Sequence, residues 1–198
     1  MPETAPPLLV LASASPRRSA LLTQIGVRHR VLPSHIDETR QPDEPVDRCV
    51  MRLAEAKARQ VAERLGDTAV PVLGADTAVV VDGIMLGKPI DRADALAMLA
   101  RLSDAAHEVL SAVALAHAGA VHSRLSRSVV RFRALQSAEC EAYWDSGEPR
   151  DKAGAYAIQG RGAVFVQSLQ GSYSGIVGLP LFETAALLAA AAVPVWQA

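Results

Sequence analysis

The lysines of this chain stand out because almost every other cation is an arginine. The sequence has seventeen arginines and only three lysines, which are Lys57, Lys88 and Lys152. The compact ammonium of lysine and the planar guanidinium of arginine are not interchangeable. Unless the three lysines stand there by chance, the composition indicates that these positions require a point-like positive charge.

Asp76 is the carboxylate whose context is least compatible with a solvated surface. It lies between the apolar stretches VPVLGA and AVVV. Burying an acid is costly unless it is paired with a cation, hydrogen-bonded or bound to a metal ion. The context therefore predicts either a functional acid with a charged partner or a structural aspartate bonded to nearby backbone.

Lys57 lies on the apolar face of a predicted long helix. Apolar residues surround it at spacings of three and four, namely Val50, Ala54 and Val61. A lysine in such a stripe either extends to the edge of the apolar face or points into a pocket that supplies an anionic partner. A second candidate acid is Glu38 in the loop sequence SHIDET, where Asp37 is an obvious competitor.

Two arginines occupy a place where acids are expected. Ser15 is a good N-cap and Pro16 suits the first helical position, so Arg17 and Arg18 fall in the first helical turn. This end of a helix is already positive. A bound phosphate resolves the conflict, because helix N-termini bind phosphate and arginine donates paired hydrogen bonds to its oxygens. The basic residues together predict a polyanionic ligand such as a triphosphate.

Charge and motif content exclude several other classes. Neither a GxxxxGK[ST] motif nor a GxGxxG motif after a strand occurs, so a P-loop and a Rossmann phosphate site are excluded. The net charge of −1 predicts neither a nucleic-acid partner nor an anionic membrane. Cys49 and Cys140 form no CxxC pair, which is typical of a reducing cytoplasm. The apolar run near the N-terminus follows no positive residue, so no secretory leader is expected.

The pattern of apolar residues predicts an α/β fold with a mixed sheet. Predicted strands lie at 8–12, at 27–33, in two runs within 69–86, at 107–117 and at 120–133. Predicted helices lie at 16–25, at 46–65, at about 92–102 after an Asp91 cap, from a Ser137 cap to Trp144, and from Pro180 onward. Hairpin turns are expected at Asp82-Gly83 and at Ala118-Gly119.

Six segments resemble the Maf family in the family's own order and spacing. They are LASASPRRSALL, GADTAVVVDG, LGKP, LSDAAHEVLSAVAL, GEPRDKAGAYAIQG and GSYSGIVGLPL. Maf proteins are nucleoside triphosphate pyrophosphatases, first named as septum formation inhibitors. The resemblance implies one domain over 1–198, with an elongated, twisted mixed sheet, flanking helices and a cleft between two lobes, as in inosine triphosphate pyrophosphatases.

The resemblance also implies a reaction and roles for individual residues. The expected reaction cleaves between the α and β phosphates of a nucleoside triphosphate and needs Mg²⁺ or Mn²⁺. Asp76 matches the catalytic acid, which accepts a proton from the attacking water, and Glu38 matches an acid that helps Asp76 to hold the metal. The expected phosphate-binding residues are Ser13, Ser15, Arg17, Arg18, Lys57, Lys88 and Lys152.

Substrate preference follows from three matched positions. Arg17, Thr77 and Gln159 match the branch that prefers dTTP and UTP, so these nucleotides, with modified pyrimidine nucleotides, are the expected substrates. A glutamine amide can pair with a uracil-type edge through both its donor and its acceptor. Small departures from the family pattern occur at Ala157, Ser111 and Gly175. The resemblance further implies a homodimer, and the alternatives are a non-catalytic septum-formation inhibitor, an ITP/XTP pyrophosphatase or a methylated-GTP pyrophosphatase.

Overall fold

The structure is a computed structural model that describes residues 8–66 and 70–197. Its strands are β1 (Leu9–Leu11), β2 (His29–Val31), β3 (Val72–Val81), β4 (Ile84–Leu86), β5 (Ala106–His117), β6 (Ala120–Phe132) and β7 (Val166–Gln170). Its α-helices are α1 (Pro16–Gln24), α2 (Val46–Leu65), α3 (Arg92–Leu102), α4 (Ser137–Asp145), α5 (Tyr173–Val177) and α6 (Leu181–Ala190). Three short 3₁₀ helices cover Glu148–Asp151, Ala153–Ala155 and Arg161–Phe165.

The strands form one mixed sheet of seven strands, which confirms the predicted fold class. The hydrogen-bonded order is β2-β1-β3-β5-β6-β7, and β4 pairs with β3 beside this path. Strand β1 pairs in parallel with β2 and β3, whereas β4 is antiparallel to β3 and β7 is antiparallel to β6. Helices connect the parallel strands, as parallel pairing requires.

The chain divides into two compact units. The first comprises the described residues of 1–76, 112–125 and 178–198, and the second comprises 77–111 and 126–177. In the first unit, β1 and the start of β3 are fully buried beside α2. In the second, aromatic rings pack edge to face, with Phe132 against His107 and Tyr156 and with Phe165 against Tyr143. A single domain with two lobes around a cleft stays a prediction.

Both predicted hairpin turns are confirmed. Asp82 and Gly83 adopt φ angles of 50° and 75°, and they connect β3 to β4. Ala118 and Gly119 adopt φ angles of 50° and 78° between β5 and β6. Two consecutive residues with positive φ are the mark of the two-residue turns that match the twist of antiparallel strands.

Two local expectations are wrong in detail. The two strand-like runs within 69–86 form one continuous strand through Asp76 before the turn, because a paired acid does not interrupt the ladder. Helix α4 is capped by Gln136 and not by Ser137, which is its first residue. Gln136 and Glu139 exchange side-chain and backbone hydrogen bonds in a capping box. Among the described residues, no helix is long and apolar enough to cross a membrane. The expectation about a leader concerns residues that lie largely outside those described.

Candidate active site

A buried ammonium joins two carboxylates in the first unit. Lys57 Nζ lies 2.7 Å from Asp76 Oδ1 and 3.1 Å from Glu38 Oε1. Lys57 and Asp76 are only 6% and 7% exposed, whereas Glu38 lies in an exposed loop. The structure thus brings together three of the residues that the sequence analysis singled out.

Helix α2 delivers Lys57 to this place from its buried face. Val50, Ala54 and Val61 of the predicted stripe are fully buried, and Lys57 lies among them. The lysine therefore does not extend to solvent but points to an anionic partner, the second of the two readings of the stripe.

Strand β3 can approach α2 closely because residue 74 is a glycine. A Cβ at Gly74 would lie 2.3 Å from the carbonyl oxygen of Ala54 and 2.8 Å from the backbone nitrogen of Ala58. Gly74 and Asp76 are two residues apart on the strand, so they share a face. The missing side chain at Gly74 thus lets the helix lie close enough for Lys57 to reach Asp76.

Burial and nearby cations act in opposite directions on Asp76. Burial raises the pKa of the Asp76 carboxyl above its usual range, and the charges of Lys57 and Arg18 limit that rise. A carboxylate with a raised pKa is a better proton acceptor than an ordinary solvated aspartate. The environment therefore suits Asp76 to general-base chemistry.

The loop that carries Glu38 is fastened to α2 on both sides. Gln60 accepts a hydrogen bond from the His35 backbone N–H at 2.7 Å and donates to the His35 carbonyl at 2.8 Å. Arg52 donates to Glu44 at 2.6 Å and to the carbonyl of Thr39 at 3.2 Å. These contacts hold the loop beside the helix that bears Lys57.

Asp37 and Glu38 have different surroundings. Asp37 Oδ1 accepts a hydrogen bond from the backbone N–H of Thr39 at 2.9 Å, which is a local turn bond. Hydrogen bonds from Thr39 lower the pKa of Asp37. Glu38 instead extends to Lys57. Of the two competing acids, the structure places Glu38 beside the buried pair.

Ser13 and Arg18 bond to each other at the turn between β1 and α1. Ser13 Oγ accepts hydrogen bonds from Arg18 Nη1 at 3.0 Å and from the Ser15 backbone N–H at 3.2 Å. Arg18 Nε also donates to the Gly178 carbonyl at 2.9 Å. Ser15 is the N-cap, as predicted, but its side chain makes no capping bond within the described chain. Arg17 is half-buried in the same first turn.

The second unit carries the remaining predicted site residues. Thr77 Oγ1 lies 3.0 Å from Ser111 Oγ, and Ser111 donates to the Gly175 carbonyl at 2.6 Å. Lys152 Nζ bonds to Asp151 and to the Glu148 carbonyl. Lys88 and Gln159 are exposed. Within their own unit these residues do not form one contiguous hydrogen-bonded cluster.

Sequence analysis missed the residues of α2 that hold the Glu38 loop. Gln60 and Arg64 are four residues apart, and Arg52 is eight residues before Gln60, so all three share one face of the helix. Arg64 Nη1 donates to the Pro33 carbonyl at 3.0 Å. Their spacing was a usable signal, although polar residues at such spacing normally indicate only a solvated face.

Comparison with known proteins supports the resemblance seen in the sequence. A family model described as Maf-like protein matches residues 8–191. This range takes in every residue proposed for the site.

Curated relatives match along nearly the whole chain. A Bordetella parapertussis protein is 53% identical, with 96% of this chain and 95% of the relative covered. Proteins of Aromatoleum aromaticum and Hahella chejuensis are each 50% identical, over 91% and 96% of this chain and over 93% and 94% of their own lengths. All three bear the name dTTP/UTP pyrophosphatase.

Proposed function

This chain belongs to the Maf family, and from that premise we propose that it is a dTTP/UTP pyrophosphatase. It hydrolyses the nucleoside triphosphate to the monophosphate and pyrophosphate, with Asp76 as the catalytic acid. The relatives at about half identity over most of the chain carry this activity in their names.

The observation that carries the proposal is the buried contact between Lys57 and Asp76. An ion pair that is only 6% and 7% exposed loses much of its solvation, so it adds little to stability relative to an apolar pair of similar volume. Strongly perturbed, buried charge pairs of this kind occur at functional sites more than elsewhere. A catalytic role accounts for the cost of this pair, which a purely structural role does not.

Asp76 acts on the attacking water in this proposal. Its raised pKa makes it a proton acceptor matched to the working pH better than an ordinary aspartate. Lys57 orients the carboxylate through Oδ1. As the bond to the leaving pyrophosphate breaks, the charge that develops on its oxygens is stabilised by fixed cations.

The cations proposed for the phosphates come from both units. Arg17 and Arg18 lie in the first turn of α1, where backbone N–H groups also favour an anion. Ser13 and Ser15 add polar groups at the same turn. Lys88 and Lys152 are proposed to bind phosphate oxygens as point charges.

Asp76 and Glu38 are proposed to hold a divalent cation, Mg²⁺ or Mn²⁺. Their carboxylates lie close enough to bond to a single ammonium. The described residues contain no group of three or more His, Cys, Asp or Glu arranged to hold a metal ion. The donor set nevertheless fits, because Mg²⁺ in nucleotide-dependent sites is commonly bound by one or two carboxylates together with substrate phosphates. When bound, the ion supplies a Lewis acid that neutralises phosphate charge and acidifies the attacking water.

Base selection is assigned to Gln159 together with Thr77 and Arg17. A uracil or thymine ring presents a carbonyl acceptor next to an N–H donor, and an amide side chain offers the complementary pair. Gln159 is exposed and therefore accessible to a base. A homodimer, a cytoplasmic location and the absence of nucleic-acid and membrane partners complete the proposal.

A nucleotide panel tests the proposal. Pyrophosphate release is measured for UTP, dTTP, CTP, ITP, XTP and methylated GTP, with Mg²⁺, with Mn²⁺ and with a chelator. The proposal expects UTP and dTTP to be preferred and the chelator to abolish turnover. A flat response across the panel would favour a binding protein, and a preference for ITP or XTP would remove the assigned role of Gln159.

A further inference from the structure

Two side chains of the second unit hold a short segment of backbone, residues 157–162. Tyr143 donates its hydroxyl hydrogen to Glu148 Oε1 at 2.7 Å and accepts a hydrogen bond from the Ala157 N–H at 3.0 Å. The Glu148 carboxylate also accepts hydrogen bonds from the N–H groups of Arg161 at 2.9 Å and Gly162 at 3.1 Å. Both ends of the segment are therefore attached to the same pair of side chains.

The segment also packs against this pair without free space. A Cβ at Gly160 would lie 2.2 Å from Glu148 Oε2. A Cβ at Gly162 would lie 2.8 Å from the Tyr143 hydroxyl and 2.9 Å from the Ala157 carbonyl oxygen. Only glycine fits at these two positions while the carboxylate and the phenol keep their places.

Gln159 lies in the middle of this fastened segment. Its neighbour Ile158 is 8% exposed, whereas Gln159 itself is exposed. The backbone on either side of Gln159 is thus fixed, and its amide extends from a defined origin.

The protonation states of the pair suit this arrangement. Partial burial opposes the charge of Glu148, but hydrogen bonds from Arg161, Tyr143 and Gly162 outweigh it and lower the pKa of the carboxyl. Burial, assisted by the carboxylate, raises the pKa of the Tyr143 phenol. Tyr143 therefore remains a neutral donor and Glu148 remains an ionised acceptor across the neutral pH range.

A fixed origin matters because an amide is ambiguous as a base reader. Rotating a glutamine amide by half a turn exchanges its donor and its acceptor, so the same side chain can complement uracil or cytosine. Selectivity for uracil and thymine thus depends on where the amide is held as well as on the presence of Gln159.

We propose that Tyr143 and Glu148 are positioning residues that set the place of Gln159 and thereby the choice of pyrimidine base. This inference rests on the proposed function, in which Gln159 reads the base. Neither residue touches the substrate or the reacting atoms in this account. Their effect is on which nucleotide is accepted.

The test compares Tyr143→Phe and Glu148→Gln with the wild-type enzyme, using UTP, dTTP and CTP. Both substitutions keep the side-chain volume while they remove or weaken hydrogen bonds to the segment. We expect the ratio of kcat/KM for UTP over CTP to fall about tenfold, mainly through a higher KM for UTP, the scale of losing a charge-assisted hydrogen bond. An unchanged ratio in both variants, or an equal loss of kcat for every nucleotide, overturns the inference.

Glu139→Gln is the matched control on helix α4. Glu139 bonds to Arg133 and to the Gln136 backbone N–H, so it contributes to local stability. It has no printed contact with residues 157–162, and the control is expected to keep the UTP-over-CTP ratio. If Glu139→Gln narrows the ratio as much as Glu148→Gln does, general loosening of the unit explains the effect and the inference is wrong.

A second measurement does not depend on activity. Gly160→Ala is introduced both into the wild-type chain and into Glu148→Ala, and the unfolding midpoint in urea is compared. The clash with Glu148 predicts a larger shift in the wild-type background than in Glu148→Ala. Equal shifts in the two backgrounds contradict the packing on which the inference depends.

The outcomes separate this inference from the function on which it rests. If the wild-type enzyme does not hydrolyse UTP or dTTP, the proposed function fails. If the wild type is active and Gln159→Ala narrows the UTP-over-CTP ratio while Tyr143→Phe and Glu148→Gln leave it intact, only the inference fails.

Discussion

Lys57 Nζ lies 2.7 Å from Asp76 Oδ1 in a place where neither side chain is more than 7% exposed. Removing two charges from water costs more than their attraction usually returns, so the pair is weak evidence for stability. The same surroundings raise the pKa of Asp76 and fix the direction of its carboxylate. The contact is therefore best explained by chemistry at Asp76.

Removing Lys57 alone is expected to destabilise the protein and to abolish activity. Lys57→Met leaves Asp76 buried without its ammonium, which should lower the free energy of unfolding by about 3 kcal/mol or more. The double variant Lys57→Met/Asp76→Leu replaces the pair by apolar side chains and should recover most of that loss while remaining inactive. Urea unfolding of both variants checks this expectation. A double variant less stable than the single one would show that the pair is stabilising.

Asp76→Asn should separate folding from catalysis. Asparagine is nearly isosteric and its Oδ1 can still accept a hydrogen bond from Lys57, so the fold should survive. Turnover of UTP should fall by about two orders of magnitude or more, the usual scale for losing a general base. Thermal unfolding and pyrophosphate release are measured on the same sample. Wild-type turnover in the variant would remove Asp76 from the mechanism.

Gly74→Ala should disturb the site through packing. The new Cβ would lie 2.3 Å from the Ala54 carbonyl oxygen, so α2 and β3 must separate. The expected cost is about 1–3 kcal/mol of stability, as in other overpacked cores, together with lower turnover because Lys57 moves from Asp76. Gly87→Ala is the control for stability, since no atom lies within 4 Å of its added Cβ. Similar unfolding midpoints for the two variants would contradict the close approach.

His107 should make stability depend on pH. Its Nε2 lies 2.9 Å from the Tyr156 hydroxyl, its ring packs on Phe132, and its Nδ1 has no hydrogen-bond partner among the described residues. Burial lowers the pKa of His107 to about 4, and the burial of Tyr156 raises the pKa of that phenol, so it stays neutral.

The unfolded chain therefore binds a proton on His107 at a higher pH than the folded chain does. The contribution of His107 is complete above the unfolded pKa of about 6.5 and is lost as the pH falls toward 4, by up to about 1.4 kcal/mol per pH unit. Urea unfolding at pH 7 and pH 5 should show a loss about 2 kcal/mol smaller in His107→Gln than in the wild type. An equal loss in both proteins would mean that His107 is not the responsible group.

The elements with strong local signals could be predicted from the sequence. The long helix was predicted at 46–65 and is Val46–Leu65, and Asp91 caps α3 by accepting from the Asp94 N–H. Periodicity and short-range capping determine both features, so a single sequence suffices. The expected placing of Lys57 in a buried stripe is confirmed for the same reason.

Features that depend on tertiary contacts were less accessible. The choice between Asp37 and Glu38 is decided by which side chain meets Lys57, and no local pattern encodes that contact. Gln136 caps α4 although glutamine is an unusual cap, because Glu139 completes the capping box. Glu148 and Tyr143 form a pair whose partners lie up to fourteen residues away, which sequence spacing alone does not reveal.

Product analysis after hydrolysis of UTP tests the central claim most directly. The wild-type protein and the Lys57→Met/Asp76→Leu variant, shown to be folded by its unfolding transition, are incubated with UTP and Mg²⁺, and all products are quantified. The account predicts UMP and pyrophosphate in equal amounts from the wild type and no turnover by the variant. UDP and phosphate as products, or undiminished turnover by the variant, would contradict it.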